Sequence, residues 1–327
     1  MQIVSMNPFR PLYDACNTGD PAEKWASLAD FPRMIDIELT SACNFRCLMC
    51  PTGNLSLQRK PVFMGWELHA SIAVQCANAG TAIRYIGWGE PLLHPDAPKM
   101  IAQAAECGLL THLNTNGSLV DYPMADRLVA AGLDSIKFSF QGVDRESYRE
   151  MRAVDFFDGL VQAIWNVHKA RDAKRRPWIA ASTSVTDEGP ERIEMFRDRV
   201  VPLVDELTIG TTIFDYMDLS AVRLRPADKA RLAKLKAREV TEKRHPVPCP
   251  EVYDKLSIHA DGSVVVCCND FDGIMELGNV NDTPIAELWR HPRIEAYRER
   301  LARKDYDAPL CKDCFDYMGC VSKRRAA

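Results

Sequence analysis

The sequence lacks the features that mark membrane, exported and nucleic-acid-binding proteins. Within its 327 residues no apolar run is long enough to cross a bilayer. The first residues carry neither the basic leader nor the continuous apolar segment of a signal peptide. A formal net charge of -4 gives no general attraction for phosphate backbones. We therefore expect a cytoplasmic, globular protein with no membrane or nucleic-acid partner.

Cysteine, in contrast, is abundant. The chain has 12 cysteines, and because cytosolic thiols are kept reduced, we do not expect a disulfide framework. Three of them, Cys43, Cys47 and Cys50, lie close together in one short segment. A second group, in the last quarter of the chain, comprises Cys249, Cys267, Cys268, Cys311, Cys314 and Cys320. Grouped thiols in a reducing compartment favour metal or redox chemistry.

Strand-like and helix-like segments alternate along the first two thirds of the chain. Strands are predicted at 33–40 and 82–89 with a helix at 65–79 between them, and the pattern recurs to give six such units. A long helical stretch is predicted from about residue 144 to residue 171. Strands separated by helices pair in parallel through right-handed crossovers. The pattern predicts an α/β fold, either a doubly wound sheet or an open barrel. The barrel is favoured because each group of candidate residues follows a predicted strand.

The C-x3-C-x2-C spacing of the first three cysteines suits an iron-sulfur cluster with one open iron. A 4Fe-4S cluster has four irons, so three thiolates from one loop leave one iron without a protein ligand. That iron could chelate the amino and carboxylate groups of a small molecule and pass it an electron. A ferredoxin-type site or a structural zinc site would need a fourth ligand.

The segment CNFRCLMC resembles the signature of the radical S-adenosylmethionine (SAM) superfamily. Three further segments resemble cofactor-binding motifs of that family: GWGEPLL at 87–93, NTNG at 114–117 and SFQG at 139–142. The resemblance implies a partial (β/α)6 TIM-type barrel that binds SAM on a 4Fe-4S cluster held by the three cysteines. The SAM-binding residues that it implies are Gly89, Glu90, Asn116, Ser139 and Met49. Met49 stands where the family often has an aromatic residue, and Trp88 replaces a glycine.

The C-terminal cysteines resemble an auxiliary-cluster region called SPASM, or its shortened form, Twitch. The resemblance implies one auxiliary 4Fe-4S cluster, because no further cysteines follow Cys320. Its ligands would be Cys249, Cys267, Cys311 and Cys314, with Cys268 and Cys320 as spare thiols or substitute ligands. A hairpin with its turn at residues 261–262 and a helical segment over 277–298 are predicted between these cysteines. From the sequence alone, a four-cysteine zinc site stays open.

These resemblances divide the chain into four parts. They are an N-terminal extension at 1–33, a radical SAM core at 34–222, a helical connector at 223–248 and an auxiliary-cluster domain at 249–327. The segment before the first predicted strand is too short for the leader-binding domain found in many peptide-modifying relatives.

The C-terminal cysteine pattern resembles that of aminocyclitol dehydrogenases, which implies an oxidoreductase acting on a small polyol, sugar or aminocyclitol-like substrate. The auxiliary cluster would accept an electron as an alcohol becomes a ketone, and a flavodoxin- or ferredoxin-type protein would supply electrons. Three alternatives stay open: modification of a ribosomal peptide or protein, epimerisation with a C-terminal cysteine as hydrogen donor, and a non-enzymatic iron-sulfur electron carrier. The candidate catalytic residues are Cys320 and Arg152. Arg152 could pair with a carboxylate or activate an alcohol.

Overall fold

One mixed sheet organises the protein. The computed structural model describes residues 6–17, 19–172, 175–212, 219–220, 222–237, 249–311 and 314. The strands in this part are β1 (Met34–Ile37), β2 (Ala82–Tyr85), β3 (Thr111–Thr115), β4 (Ser135–Ser139), β5 (Trp178–Val185), β6 (Glu206–Thr211), β7 (Lys255–Ile258), β8 (Ser263–Val265) and β9 (Glu276–Asn279). The helices are α1 (Arg10–Cys16), α2 (Pro21–Ala26), α3 (Trp66–Ala79), α4 (Ala97–Glu106), α5 (Tyr122–Ala130), α6 (Arg145–Arg152), α7 (Phe157–Ala170), α8 (Pro190–Val200), α9 (Pro226–Ala237), α10 (Glu251–Asp254), α11 (Ile285–Trp289) and α12 (Pro292–Ala302).

The first six strands are parallel and lie in the spatial order β6-β5-β4-β3-β2-β1. Strand β7 pairs in parallel with the other side of β1, and β8 and β9 extend the sheet in antiparallel orientation. The predicted α/β fold, a partial barrel with six parallel strands, is therefore confirmed, and the sheet does not close. Among the described helices, none combines the length and apolar character needed to span a membrane.

Alternating side chains along β1 give the sheet one apolar and one charged face. Ile35 and Ile37 are fully buried in the main hydrophobic core, and Asp36 between them points to the opposite side. There it accepts hydrogen bonds from Arg84 of β2 at 2.6 and 2.7 Å. We call the side that carries Asp36 and Arg84 the inner face of the sheet.

The helical stretch predicted over 144–171 is helical but is divided into two helices, α6 and α7. Helix α6 ends at Arg152, and Ala153 has a left-handed backbone with φ of 56° that an α-helix cannot continue. Helix α7 starts at Phe157, whose ring packs against Phe140 with 5.5 Å between centroids. The break leaves Arg152 beside the carboxyl end of β4, where it bonds the carbonyl oxygen of Ser139.

The predicted C-terminal hairpin is confirmed, since β7 and β8 pair around a turn at residues 261–262. Gly262 has φ of +90°, a left-handed conformation that favours glycine. The helical segment predicted over 277–298 is only partly correct, because its first residues belong to β9. Strand β9 pairs with β8 and so satisfies backbone groups that would otherwise form an open edge.

Candidate active site

The loop after β1 carries the three N-terminal cysteines. Cys47 is 6% exposed, and Cys43 and Cys50 are half-buried. Gly53 lets the chain fold back over this loop, since a Cβ atom there would lie 2.3 Å from the carbonyl oxygen of Cys47. The structure thus brings all three predicted N-terminal ligands into one compact loop at the carboxyl end of a parallel strand, where α/β enzymes place their chemistry.

Burial and mutual proximity disfavour free thiolates in this loop. Burial raises the pKa of Cys43 to about 11, and burial followed by the charge of Cys47 raises the pKa of Cys50. Hydrogen-bond donors oppose the shift: the Phe45 N–H donates to Cys43 Sγ at 3.5 Å. The N–H groups of the second and third residues after Cys50 donate to its sulfur. Buried thiols with such donors fit a bound metal group, which supplies the positive charge that thiolates require.

This arrangement suits a cluster, in which every thiolate binds its own iron. In the described part of the chain, no three His, Cys, Asp or Glu side chains converge closely enough to hold one metal ion. The sulfurs of a 4Fe-4S site need not converge on one point, because they occupy separate corners of the cube. Three corners can be held by Cys43, Cys47 and Cys50.

Arg152 supplies a buried positive charge next to this loop. Its Nη1 donates to Cys47 Sγ at 3.4 Å, and its Nη2 donates to the carbonyl oxygens of Ser139 and Phe140. The buried Nε has no hydrogen-bond partner among the described residues. Burial lowers the pKa of this group, but the charges of Cys47 and Tyr148 outweigh it, and the net shift is upward. An arginine on a helix usually forms a surface ion pair, whereas this one is available to an anion inside the site.

The glycine-rich loop after β2 passes against the backbone that follows β1. A Cβ atom at Gly89 would come within 2.0 Å of the Thr40 carbonyl oxygen and 2.6 Å of the Ala42 carbonyl oxygen. The next N–H, of Glu90, donates to the same Ala42 oxygen at 2.8 Å. Glycine is therefore required here because the two backbones are in contact.

The Glu90 carboxylate links this loop to the loop after β3. It is 2% exposed and accepts hydrogen bonds from the Asn116 N–H at 2.7 Å, the Thr115 hydroxyl at 2.8 Å and the Leu92 N–H at 3.1 Å. Burial raises the pKa of Glu90, and these donors oppose the rise. The side chain of Glu90 therefore positions two loops.

Asn116 connects the loop after β3 to the cysteine loop. Its Nδ2 donates to Asn44 Oδ1 at 2.9 Å and lies 4.0 Å from Cys43 Sγ. Its Oδ1 accepts from the N–H and hydroxyl of Ser118 at 2.9 and 2.6 Å. Asn44 and Ser118 were not predicted as site residues, although both lie inside or next to the cofactor-binding motifs.

The two remaining predicted cofactor residues border the same region. Ser139 ends β4 and offers its carbonyl oxygen to Arg152. Met49 is half-buried and packs against an apolar cluster formed by Leu48, Met151, Val222 and Leu232. Cys320, the predicted hydrogen donor, lies outside the described residues.

The C-terminal cysteines form a second buried group. Burial raises the pKa of Cys249 well above its usual value, and the charges of Cys311 and Cys314 contribute. A hydrogen bond with Cys268, followed by burial, raises the pKa of Cys267, to which the charge of Cys249 also contributes. The Cys314 N–H donates to the Cys311 carbonyl oxygen at 3.2 Å. Cys249 is therefore near enough to Cys267, Cys311 and Cys314 for their charges to interact, and Cys268 lies beside Cys267.

Trp88 joins the two cysteine-rich regions. Its indole N–H donates to the Cys268 carbonyl oxygen at 3.1 Å, and its ring packs against Phe271 with 5.5 Å between centroids. Its backbone N–H donates at 3.1 Å to Glu38, which also accepts two hydrogen bonds from Arg59 at 2.9 and 3.0 Å. This role of Trp88 could not be predicted from the motif around it, because its partners come from distant segments.

A parallel α/β sheet with thiol groups at its strand ends and in its C-terminal extension defines a cluster-binding protein. The family model of the Radical SAM superfamily matches residues 37–210, and that of SPASM, an iron-sulfur cluster-binding domain, matches residues 249–315. The chain therefore belongs to the radical SAM superfamily. It uses SAM, a 4Fe-4S cluster and an auxiliary iron-sulfur cluster, so the family and cofactors predicted from the sequence are confirmed.

Relatives of known activity include peptide-modifying enzymes. The chain is 27% identical over 324 residues to the PqqA peptide cyclase of Xanthomonas campestris pv. campestris strain 8004, covering 88% of this chain and 82% of the relative. It is 36% identical over 110 residues to the PqqA peptide cyclase of Granulibacter bethesdensis, covering 34% of this chain and 29% of the relative.

Solved structures share the fold. SuiB of Streptococcus suis bound to the precursor peptide SuiA matches with a TM-score of 0.65 at 16% identity, over 94% of this chain and 75% of SuiB. BtrN in complex with AdoMet and 2-DOIA matches with a TM-score of 0.56 at 16% identity, over 89% of this chain and 96% of BtrN. At these identities the likeness concerns the fold alone.

Proposed function

We propose that the protein modifies a peptide or protein substrate by radical SAM chemistry. The observation that carries the proposal is the 27% identity to a PqqA peptide cyclase over 88% of this chain. A fold like that of SuiB, which was crystallised with its precursor peptide, supports it. The proposal replaces the small polyol or sugar that the sequence analysis favoured. Alcohol oxidation becomes the second candidate, supported by the likeness to BtrN, whose structure holds the small molecule 2-DOIA.

We assign the catalytic cluster to the loop after β1. Cys43, Cys47 and Cys50 would hold three irons and leave the fourth to SAM. The residues placed to hold SAM are Gly89, Glu90, Asn116, Ser139 and Met49. When bound, SAM and this cluster supply a reductively triggered abstraction of a hydrogen atom from the substrate.

The protein's own groups orient this chemistry. Gly89 lets the second loop contact the first, and the buried Glu90 carboxylate fixes Asn116 against the cysteine loop through the 2.7 Å bond to its backbone. The guanidinium of Arg152 lies 3.4 Å from Cys47 Sγ and has a free Nε among the described residues. Arg152 would stabilise negative charge in the site, either on a thiolate ligand or on the SAM carboxylate.

The auxiliary cluster would be held by Cys249, Cys267, Cys311 and Cys314. A reaction that removes two electrons from the substrate needs a second electron acceptor besides SAM, and a fully ligated cluster suits that role. A flavodoxin- or ferredoxin-type protein would provide the electron that starts each turnover.

The test is a substrate comparison with the anaerobically reconstituted holoenzyme. The enzyme receives SAM, a chemical reductant and one class of substrate. The substrates are precursor peptides, including PqqA and SuiA, or deuterated aminocyclitols and sugars. Deuterium transfer into 5'-deoxyadenosine and the mass of the substrate are measured. We expect a peptide to lose hydrogen and to stimulate SAM cleavage, and Cys47→Ala to abolish both. Turnover of an aminocyclitol without turnover of any peptide would replace this proposal with alcohol oxidation.

A further inference from the structure

The inner face of the sheet contains a lysine with no protein counter-ion in the described part of the chain. Ile136 and Phe138 of β4 are fully buried in the hydrophobic core, so Lys137 between them points to the inner face. It is in register with Asn114 of β3 and Ala180 of β5. The side chain of Lys137 forms no hydrogen bond or ion pair with any residue that the structure describes.

Two inner-face cations near Lys137 already have carboxylate partners. Arg84 and Asp36 form a two-bond pair at 2.6 and 2.7 Å, and Lys255 pairs with Glu251 at 2.5 Å. His112 is neutral, because burial lowers its pKa to about 3 and both ring nitrogens have hydrogen-bond partners. Glu206 of β6 is in register with Lys137 across Ala180, and its charge acts on Lys137, but its carboxylate accepts a hydrogen bond from Asn7 Nδ2 at 3.2 Å. Among the described residues, the Lys137 ammonium therefore has no direct ion-pair partner.

The charged form of Lys137 is disfavoured by its surroundings, and the residue lies close to the reaction centre. Burial, followed by the charge of Arg84, lowers the pKa of Lys137, and Asp36 and Glu206 only partly oppose the shift. Lys137 precedes Ser139 by two residues, about 7 Å along the strand, and Ser139 contacts Arg152. Lys137 is half-buried, and a half-buried ammonium without an ion-pair partner is favoured when an anion arrives to pair with it.

We propose that Lys137 binds a carboxylate of the substrate and so selects an acidic side chain of the peptide for reaction. This inference rests on the proposed function and adds a specificity to it. A single ammonium matches a singly charged carboxylate, whereas a phosphate group is better matched by the forked donors of arginine. Lys137 lies one strand repeat before Ser139, whose carbonyl oxygen accepts from Arg152, and Arg152 also donates to Cys47 Sγ. A carboxylate bound to Lys137 would therefore enter the same region of the site as these groups.

The test compares Lys137→Met, which removes the charge and retains bulk, with Lys137→Arg, which retains the charge. The substrates are an accepted peptide and the same peptide with its Asp and Glu residues changed one at a time to Asn or Gln. We expect Lys137→Met to raise KM for the acidic peptide roughly tenfold to a hundredfold, the loss of one charged hydrogen bond, and to change KM little for the peptide lacking the key carboxylate. Lys137→Arg should recover part of the loss.

Lys99→Met serves as the matched control, because the Lys99 side chain is 74% exposed on α4. Iron content and cluster absorbance of each variant report whether the protein has assembled. An equal effect of Lys137→Met on acidic and amide peptides, or no effect on either, would overturn the assignment.

The two proposals can fail separately. If the wild-type holoenzyme modifies no peptide, the proposed function fails, and the Lys137 assignment is tested by calorimetric titration of the SAM-loaded enzyme with blocked single residues. N-acetyl-glutamate amide should then bind more tightly than N-acetyl-glutamine amide, with the preference lost in Lys137→Met. Equal binding of the two probes would refute the assignment by itself.

Discussion

Replacing Gly89 with alanine tests whether contact between the first two strand-end loops creates the SAM site. The added Cβ would lie 2.0 Å from the Thr40 carbonyl oxygen and 2.6 Å from that of Ala42. Because non-bonded carbon and oxygen atoms stay at least about 3 Å apart, the loops must separate by roughly 1 Å. A displacement of this size in an active site reduces the rate about a hundredfold. The hydrogen bond from Glu90 N–H to Ala42, now 2.8 Å long, would lengthen with it.

The assay is the rate of 5'-deoxyadenosine formation from SAM and dithionite by reconstituted protein with matched iron content. Gly65→Ala is the control, because a Cβ at Gly65 meets no atom within 4 Å and its φ of -67° suits alanine. We expect Gly65→Ala to retain the wild-type rate and Gly89→Ala to lose about a hundredfold. A Gly89→Ala protein with a full cluster and a rate within a few fold of wild type would show that the close contact has no role in SAM cleavage.

Three further perturbations test other parts of the site and core. Glu90→Gln replaces one acceptor oxygen with an amide donor that faces protein donors, so the free energy of unfolding in urea should fall by about 2 kcal/mol. The exposed Glu106→Gln is the control. Equal unfolding midpoints for the two variants would contradict the role of Glu90 in linking the loops. Arg152→Met should weaken SAM binding, measured by equilibrium dialysis, roughly tenfold to a hundredfold, and Arg152→Lys should weaken it less. Unchanged affinity in a protein with an intact cluster would show that Arg152 does not contribute to SAM binding. Burial lowers the pKa of His69 to about 4 and of His112 to about 3, so below about pH 6.5 the unfolded chain binds protons that the fold does not. Stability should therefore fall with decreasing pH, by about 1.4 kcal/mol per unit for each histidine between pH 6 and pH 4, and a His112→Gln variant with an unchanged slope would refute this account.

The motifs could be predicted from the sequence because their information is local. Three cysteines at C-x3-C-x2-C spacing lie in one loop, and that loop alone indicates a cluster with an open iron. Alternating strand and helix patterns likewise predict parallel pairing without knowledge of the partners. Even so, a local pattern did not reveal the break at Ala153, where a left-handed residue ends α6.

Contacts between distant segments required the folded chain. The Glu90 carboxylate is one member of a sequence motif, yet its role depends on Asn116 from the next loop. The bond from the Trp88 indole to Cys268 joins residues 180 positions apart. No spacing rule relates such pairs, because their proximity depends on how strand ends meet across the sheet.

The sequence by itself determined the family, the cofactors and the cysteine-rich segments, since each is encoded by residue types within a few positions of one another. Only the tertiary structure decided which buried charges are balanced, since Arg84 meets Asp36 across paired strands while Lys137 forms no ion pair with any carboxylate in the described chain. The register of separate strands determines that difference. The substrate expected from the cysteine pattern was a small alcohol. Side chains from several strands shape the space that a substrate enters, and their positions likewise depend on strand register.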